Sequence, residues 1–154
     1  APLEEYPENG WNKVFDINLK SLFFLTQGLL PLLKAAGSAE DPARIINTAS
    51  INGLTHPHAN NYAYSSSKAG VIHLTRHLAG DLAADHINVN AVAPGYFPTR
   101  MTAHFDEEML ARVPRGRYGM PDDAAGTWIF LASRASAWMT GTTLALDGGT
   151  TANA

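Results

Sequence analysis

Three short apolar runs punctuate a chain that otherwise reads as helix, and their order limits the fold to one class. The runs are RIINTAS (Arg44 to Ser50), INVNAVAP (Ile87 to Pro94) and GTTLALDGGT (Gly141 to Thr150). The first is expected to end as a strand near Thr48, the second is stopped by Pro94 and Gly95, and the third closes in a glycine turn. Around them, apolar residues recur at three- and four-residue steps, the signature of a helix with one buried face. From Pro7 to Ala36 these are Trp11, Val14, Phe15, Leu19, Leu22, Phe23, Leu29 and Leu33. Tyr62 to Asp85 predicts a second long helix, with Ala63, Ser67, Gly70, Val71, Leu74 and Leu78 as its close-packing face. Pro121, Asp122 and Asp123 predict the start of a third, running to Ser133, because proline suits the first helical turn and acids suit its positive end. Strands joined by crossover helices lie parallel, with helices covering both faces. The expected fold is therefore α/β, a doubly wound parallel sheet of three strands with flanking helices. Ligands of such sheets sit at the carboxyl ends of the strands. That rule selects Ser50 and its loop, Pro94 with the long irregular segment from Tyr96 to Met120, and the turn from Asp147 to Gly149.

Composition removes several other chemistries. The 154 residues contain no cysteine, which excludes disulfides, thiolate metal sites and cysteine nucleophiles within them and fits a reducing cytoplasm. The net charge is −3 and the only basic cluster is RVPRGR, Arg112 to Arg117, so no nucleic-acid partner is expected. The most apolar run, LFFLTQGLLPLL, is shorter than a bilayer span and carries Gln27 and Pro31, so no membrane partner is expected either. The acidic opening APLEEYPENG predicts no signal peptide.

The chemistry centres on YSSSK, Tyr64 to Lys68. Residues four apart share one helix face. A lysine cation beside a phenol favours the phenolate, and a tyrosine so tuned can pass a proton to or from a carbonyl or alcohol oxygen. Ser50, at the end of the preceding strand, could hold that oxygen. Taken alone the pair reads as a half-buried tyrosine with a lysine reaching for solvent, and Ser50 alone reads as a turn cap. The small residues Ser65 to Ser67 allow a flat cofactor or a neighbouring element to come close.

Five pieces taken together resemble the short-chain dehydrogenase/reductase family. VFDINLKSLFFLTQ, INTAS followed by NG, YSSSKAG, NVNAVAPGYFPT and TGTTLALDGG occur in the family's order and spacing. VPRGRYGMPDDAAGTWIFLAS resembles its 3-oxoacyl-acyl-carrier-protein reductase branch. The resemblance implies an oxidoreductase moving a hydride between NAD or NADP, with NADPH favoured, and a carbonyl or secondary alcohol. It implies Tyr64 as general acid/base and Lys68 as the group that tunes it and holds the nicotinamide ribose. Ser50 would bind the substrate oxygen, and Asn18 would hold a water in the proton relay. Pro94, Gly95, Phe97 and Thr99 would lie along the nicotinamide and its phosphate. The implied substrate is a small carbonyl or alcohol, linked to acyl carrier protein or coenzyme A in that branch, and the implied assembly is a cytoplasmic homodimer or homotetramer.

The family's Gly-rich turn, T-G-x-x-x-G-x-G, does not occur in this sequence, nor does its Asn-Asn-Ala-Gly signature. Residues 1–154 are accordingly expected to form one partial catalytic domain, the C-terminal portion of the fold. About 90 residues would complete it, at ~30 per strand–helix–strand unit. The alternative is a half-domain that binds or assembles without catalysis. His73 and His77 have the spacing of a helical metal pair but no third ligand, and are expected at a surface or interface. Arg112, Arg115 and Arg117 suit an acidic carrier protein, a phosphopantetheine arm or a solvated loop.

Overall fold

The computed structural model describes residues 1–57, 59–99 and 107–153. A helix α1 (Glu8–Phe15) runs through one wide turn, Asp16–Lys20, into α2 (Ser21–Ala36). Strand β1 (Ala43–Thr48), helix α3 (Tyr62–Leu82), strand β2 (Ile87–Pro94), the short helix α4 (Glu107–Ala111), helix α5 (Pro121–Ala132) and strand β3 (Thr143–Leu146) follow. The three strands form a parallel sheet in the order β1-β2-β3. The alternation read from sequence thus yields the expected doubly wound architecture.

The faces of the central strand account for the layers. Ile87, Val89, Ala91 and Ala93 of β2 are fully buried and point to one side. There they meet Leu30 and Leu33 of α2, and Val71, Ile72, Leu78, Ala79 and Leu82 of α3. The alternate residues Asn88 and Asn90 point to the other side, where their amides donate to the carbonyls of Ala137 (2.8 Å) and Met139 (2.7 Å) in the connection between α5 and β3. A strand covered on both faces must be apolar or internally satisfied throughout, and β2 is both. α5 begins where proline and acids placed it. Asp123 accepts from the Met120 backbone N–H at 2.8 Å, which closes the first turn.

One detail departs from the sequence reading. The buried face of α3 is wider than expected. Ala63, Ser67 and Val71 are buried, and Gly70 and Leu78 pack against Leu19 and the β2 core, as expected; Ile72, Thr75, Ala79 and Leu82 are buried as well. Thr75 is tolerated there because Asn47 of β1 donates to its hydroxyl at 2.9 Å while that hydroxyl donates to Val71 O at 2.8 Å. β3 spans Thr143–Leu146 and, as expected, ends in a glycine turn; Gly141 before it and Gly148 and Gly149 after it take positive φ. Within the long segment from Tyr96 to Met120, residues 100–106 lie outside the described residues, as does His58.

Large apolar side chains remain exposed on the helices that cover β1. Leu25 and Leu32 of α2 are 64% and 68% exposed, and Ile129 of α5 is 67% exposed. Among the described residues β1 pairs only with β2, so its outer edge offers unpaired backbone groups.

Candidate active site

The residues expected to handle the proton lie where β1, α3 and the wide turn meet. Ser50 lies two residues past β1, extended and buried, and its Oγ accepts from Asn52 N at 3.2 Å. It therefore caps the tight turn Ile51–Gly53, as the plain reading of that serine required. The turn presses on α3. A Cβ built on Gly53 would stand 2.6 Å from the carbonyl carbon of Lys68 and 2.7 Å from the nitrogen of Ala69. Only glycine allows that approach, and it sets the Ser50 turn against the helix turn that carries Lys68.

Tyr64 and Lys68 share a face of α3, with Nζ 5.7 Å from the centre of the phenol ring. Lys68 Nζ donates to Thr48 O, the last carbonyl of β1, at 2.8 Å. Burial lowers the lysine pKa from its ordinary value, since a desolvated ammonium is costly. An ammonium has three donors, and one is engaged here. Tyr64 Oη and Ser50 Oγ make no hydrogen bond to each other among the described residues.

Asn18 sits at the centre of the wide turn Asp16–Lys20, where the backbone pairing lengthens so that Ser21 N reaches Asp16 O. Such single wide turns inside α-helices recur at functional sites. Asn18 Nδ2 donates to Ser67 Oγ at 3.0 Å, and Ser67 Oγ donates to Tyr64 O at 2.7 Å. Sequence reasoning held Ser67 to be a small residue making room. The structure makes it a fully buried link between Asn18 and the helix turn of Tyr64. The neighbour that comes close at this serine is therefore the Asn18 helix, not a cofactor. The signal was available in its three-residue offset from Tyr64, but its partner lies 49 positions away.

The residues expected along the cofactor follow β2. Pro94 ends that strand opposite Leu146, and Gly95 N donates to Leu146 O at 2.9 Å. A Cβ on Gly95 would come within 2.8 Å of Asp147 Cβ, so this loop closes directly on the last turn. Phe97 lies so tightly on Gly119 that a Cβ there would overlap its ring. Tyr96, Phe97, Arg115, Arg117 and Asp147 border a cleft of about 510 Å³. Thr99 is exposed.

Asp147 anchors that turn. Burial works against its charge, but the Thr151 hydroxyl and backbone N–H and the Gly149 N–H outweigh it and hold the carboxyl below its ordinary pKa. The amides of Gly149 and Thr151 donate at 3.0 and 2.7 Å. A group with a depressed folded pKa stabilises the fold above its unfolded value, ~3.9, and loses that contribution as pH falls through the folded one. Asp147→Asn should therefore lower stability at pH 7 by about 1–3 kcal/mol. It should also flatten the loss of stability on acidification from pH 5 to pH 3. Denaturant melts across that range check both.

The arginines of RVPRGR separate. Arg117 is committed to Asp123 through two contacts, 2.6 and 2.9 Å. That pair holds the Asp123 carboxyl far below the usual range, with the Met120 amide adding to it. Arg112 Nη2 meets Glu108 at 2.7 Å, and Arg115 makes no ion pair among the described residues. A second cleft, about 360 Å³, begins immediately after Ser50 and is bordered by Asn52, His56, Tyr96, Arg112 and Thr150. His73 and His77 border an apolar groove between the first long helix and α3. His77 Nε2 lies 3.3 Å from Asp81.

Residues 1–151 match the family model described as Enoyl-(Acyl carrier protein) reductase. The chain is 47% identical over 155 residues to the rhamnolipids biosynthesis 3-oxoacyl-[acyl-carrier-protein] reductase of Pseudomonas aeruginosa, covering 97% of this chain and 60% of that protein. It is 41% identical to the 2-dehydro-3-deoxy-D-gluconate 5-dehydrogenase of Escherichia coli, covering 94% of this chain and 58% of the other. The solved Pseudomonas aeruginosa RhlG/NADP active-site complex superposes with a TM-score of 0.92 at 47% identity, over 97% of this chain and 61% of that one. The chain spans about 60% of the length of the curated relatives it matches.

Proposed function

We infer the function from the family: the chain belongs to the short-chain dehydrogenase/reductases. It is proposed to carry the catalytic part of an NADP(H)-dependent oxidoreductase that interconverts a carbonyl and a secondary alcohol, of the 3-oxoacyl type. The observation that carries this reading is the placement of Lys68. Its half-buried ammonium is fixed on Thr48 O beside the Tyr64 ring, on the same helix turn that Gly53 locks against the Ser50 loop.

The donor set suits a nicotinamide nucleotide. Two ammonium donors of Lys68 remain for ribose hydroxyls, and the Pro94–Thr99 loop provides an aromatic wall at Phe97. A reduced nicotinamide, when bound, supplies the hydride to the carbonyl carbon. The protein's part is the oxygen. Ser50 Oγ would donate to it and Tyr64 Oη would protonate it as charge develops. The Lys68 charge would stabilise the phenolate left behind, worth on the order of 1–3 kcal/mol at this range. Asn18 would hold the wide turn open to a relay water while its amide steadies the Tyr64 turn through Ser67. The adenine and pyrophosphate end is assigned to a Gly-rich unit beyond this partial domain. The open edge of β1 and the exposed leucines of α2 fit such a neighbour. Cytoplasmic homo-oligomers are proposed, pairing the apolar groove between the first long helix and α3, about 600 Å³ in volume.

Lys68→Met tests the reading. It removes a charged donor worth about 1.5–3 kcal/mol. NADPH binding should weaken about tenfold or more, and kcat for carbonyl reduction should fall as well. Fluorescence titration and steady-state rates separate the two effects. A variant with both within twofold of the parent would defeat the assignment.

A further inference from the structure

The cleft that begins after Ser50 has a charge character that the reaction does not require. Hydride transfer to a carbonyl needs Ser50, Tyr64 and Lys68; it does not need a cation farther along. Yet the lining includes Arg112, with no carboxylate among the lining residues and with hydrogen-bonding groups on Asn52, Thr55, His56 and Thr150. Arg112 is not locked as Arg117 is. Only Nη2 is engaged, by Glu108, whose own side chain is 78% exposed. Nε and Nη1 have no partner among the described residues, and the side chain is 34% exposed, partly shielded from solvent. At about 360 Å³ the cleft lies at the small end of ligand pockets. It suits a compact polar molecule or the head of a carrier arm better than a long apolar chain.

We propose that Arg112 is a specificity residue that binds an anionic oxygen group, carboxylate or phosphate, on the carbonyl substrate. The guanidinium fork matches such groups in two parallel hydrogen bonds. The proposal rests on the oxidoreductase reading, which places the reacting carbonyl at Ser50 and Tyr64. Two sources share this chemistry: the carboxylate of a free keto acid, and the phosphate of a phosphopantetheine arm.

The test compares Arg112→Ala and Arg112→Lys with the parent on matched substrates. Acetoacetate against methyl acetoacetate probes a carboxylate. Acetoacetyl-pantetheine with and without its 4′-phosphate probes a phosphate. The parent should prefer the charged member of one pair, and that pair names the source. Arg112→Ala should raise KM for that member at least tenfold, leave kcat within about threefold, and leave the uncharged member unaffected. Arg112→Lys should recover part of the loss. Direct calorimetric titration of acetoacetate and of pantetheine 4′-phosphate is read in parallel. In a protein completed with a Gly-rich unit and shown to bind NADPH, anion binding that depends on Arg112 without turnover would support the anion site and defeat the oxidoreductase reading. Turnover with no charge preference in either pair, an equal loss on both members of a pair, or binding indifferent to Arg112 would overturn the proposal.

Discussion

Tyr64→Phe is expected to lower kcat for carbonyl reduction by about 10³-fold, within the 10²–10⁴ range that a positioned acid/base contributes. NADPH affinity should stay within about twofold. The substitution removes one oxygen and keeps the ring, so the contact between Lys68 and the aromatic face survives. Ser67 is anchored on the Tyr64 backbone carbonyl, not on its hydroxyl, so the link to Asn18 survives too. Tyr64 Oη makes no hydrogen bond among the described residues, and its loss should change the melting temperature little. The combination of a large kinetic effect with unchanged binding and stability is what separates a proton donor from a packing residue. Rates within a few fold of the parent would remove Tyr64 from the chemistry.

Gly53→Ala should damage both the fold and the rate. The new Cβ would meet the Lys68 and Ala69 backbone at 2.6–2.8 Å. Backbone atoms of a packed helix cannot swing aside as a side-chain tip can, so the turn itself must retreat. Overpacking of this kind costs about 1–3 kcal/mol, or several degrees of melting temperature for a chain of this size. The retreat moves Ser50 away from Tyr64, and a shift near 1 Å in a catalytic group can cost about 10²-fold in rate. Thermal melts and kcat on one preparation check the pair. By contrast, Gly28→Ala meets nothing within 4 Å on α2 and should be silent in both. Full activity in Gly53→Ala would mean that the Ser50 turn is not positioned through α3.

Sequence alone determined those features that depend on neighbours within a turn or two. The strand and helix order follows from apolar periodicity, the start of α5 from Pro121 and Asp123, and the shared face of Tyr64 and Lys68 from their four-residue offset. Parallel pairing follows from the crossovers, because the connecting helices leave the strands no other direction. Tertiary structure decided what depends on distant partners. Lys68 finds Thr48 O across 20 positions, and Asn18 finds Ser67 across 49. The wide turn at Asn18 has no local marker such as an interior proline at that point; Pro31, the proline in that helix, lies farther along α2. The burial of Thr75 on α3 was equally hidden, since Thr75 counts as polar until Asn47 satisfies it. Gly95 reads as a strand stop and Gly53 as part of a motif, but only the atoms that each one touches explain why no side chain fits there. Arg112, Arg115 and Arg117 are alike in sequence. Two contacts with Asp123 commit the last of them to structure, whereas the first, held by Glu108 through Nη2, lines the cleft beyond Ser50.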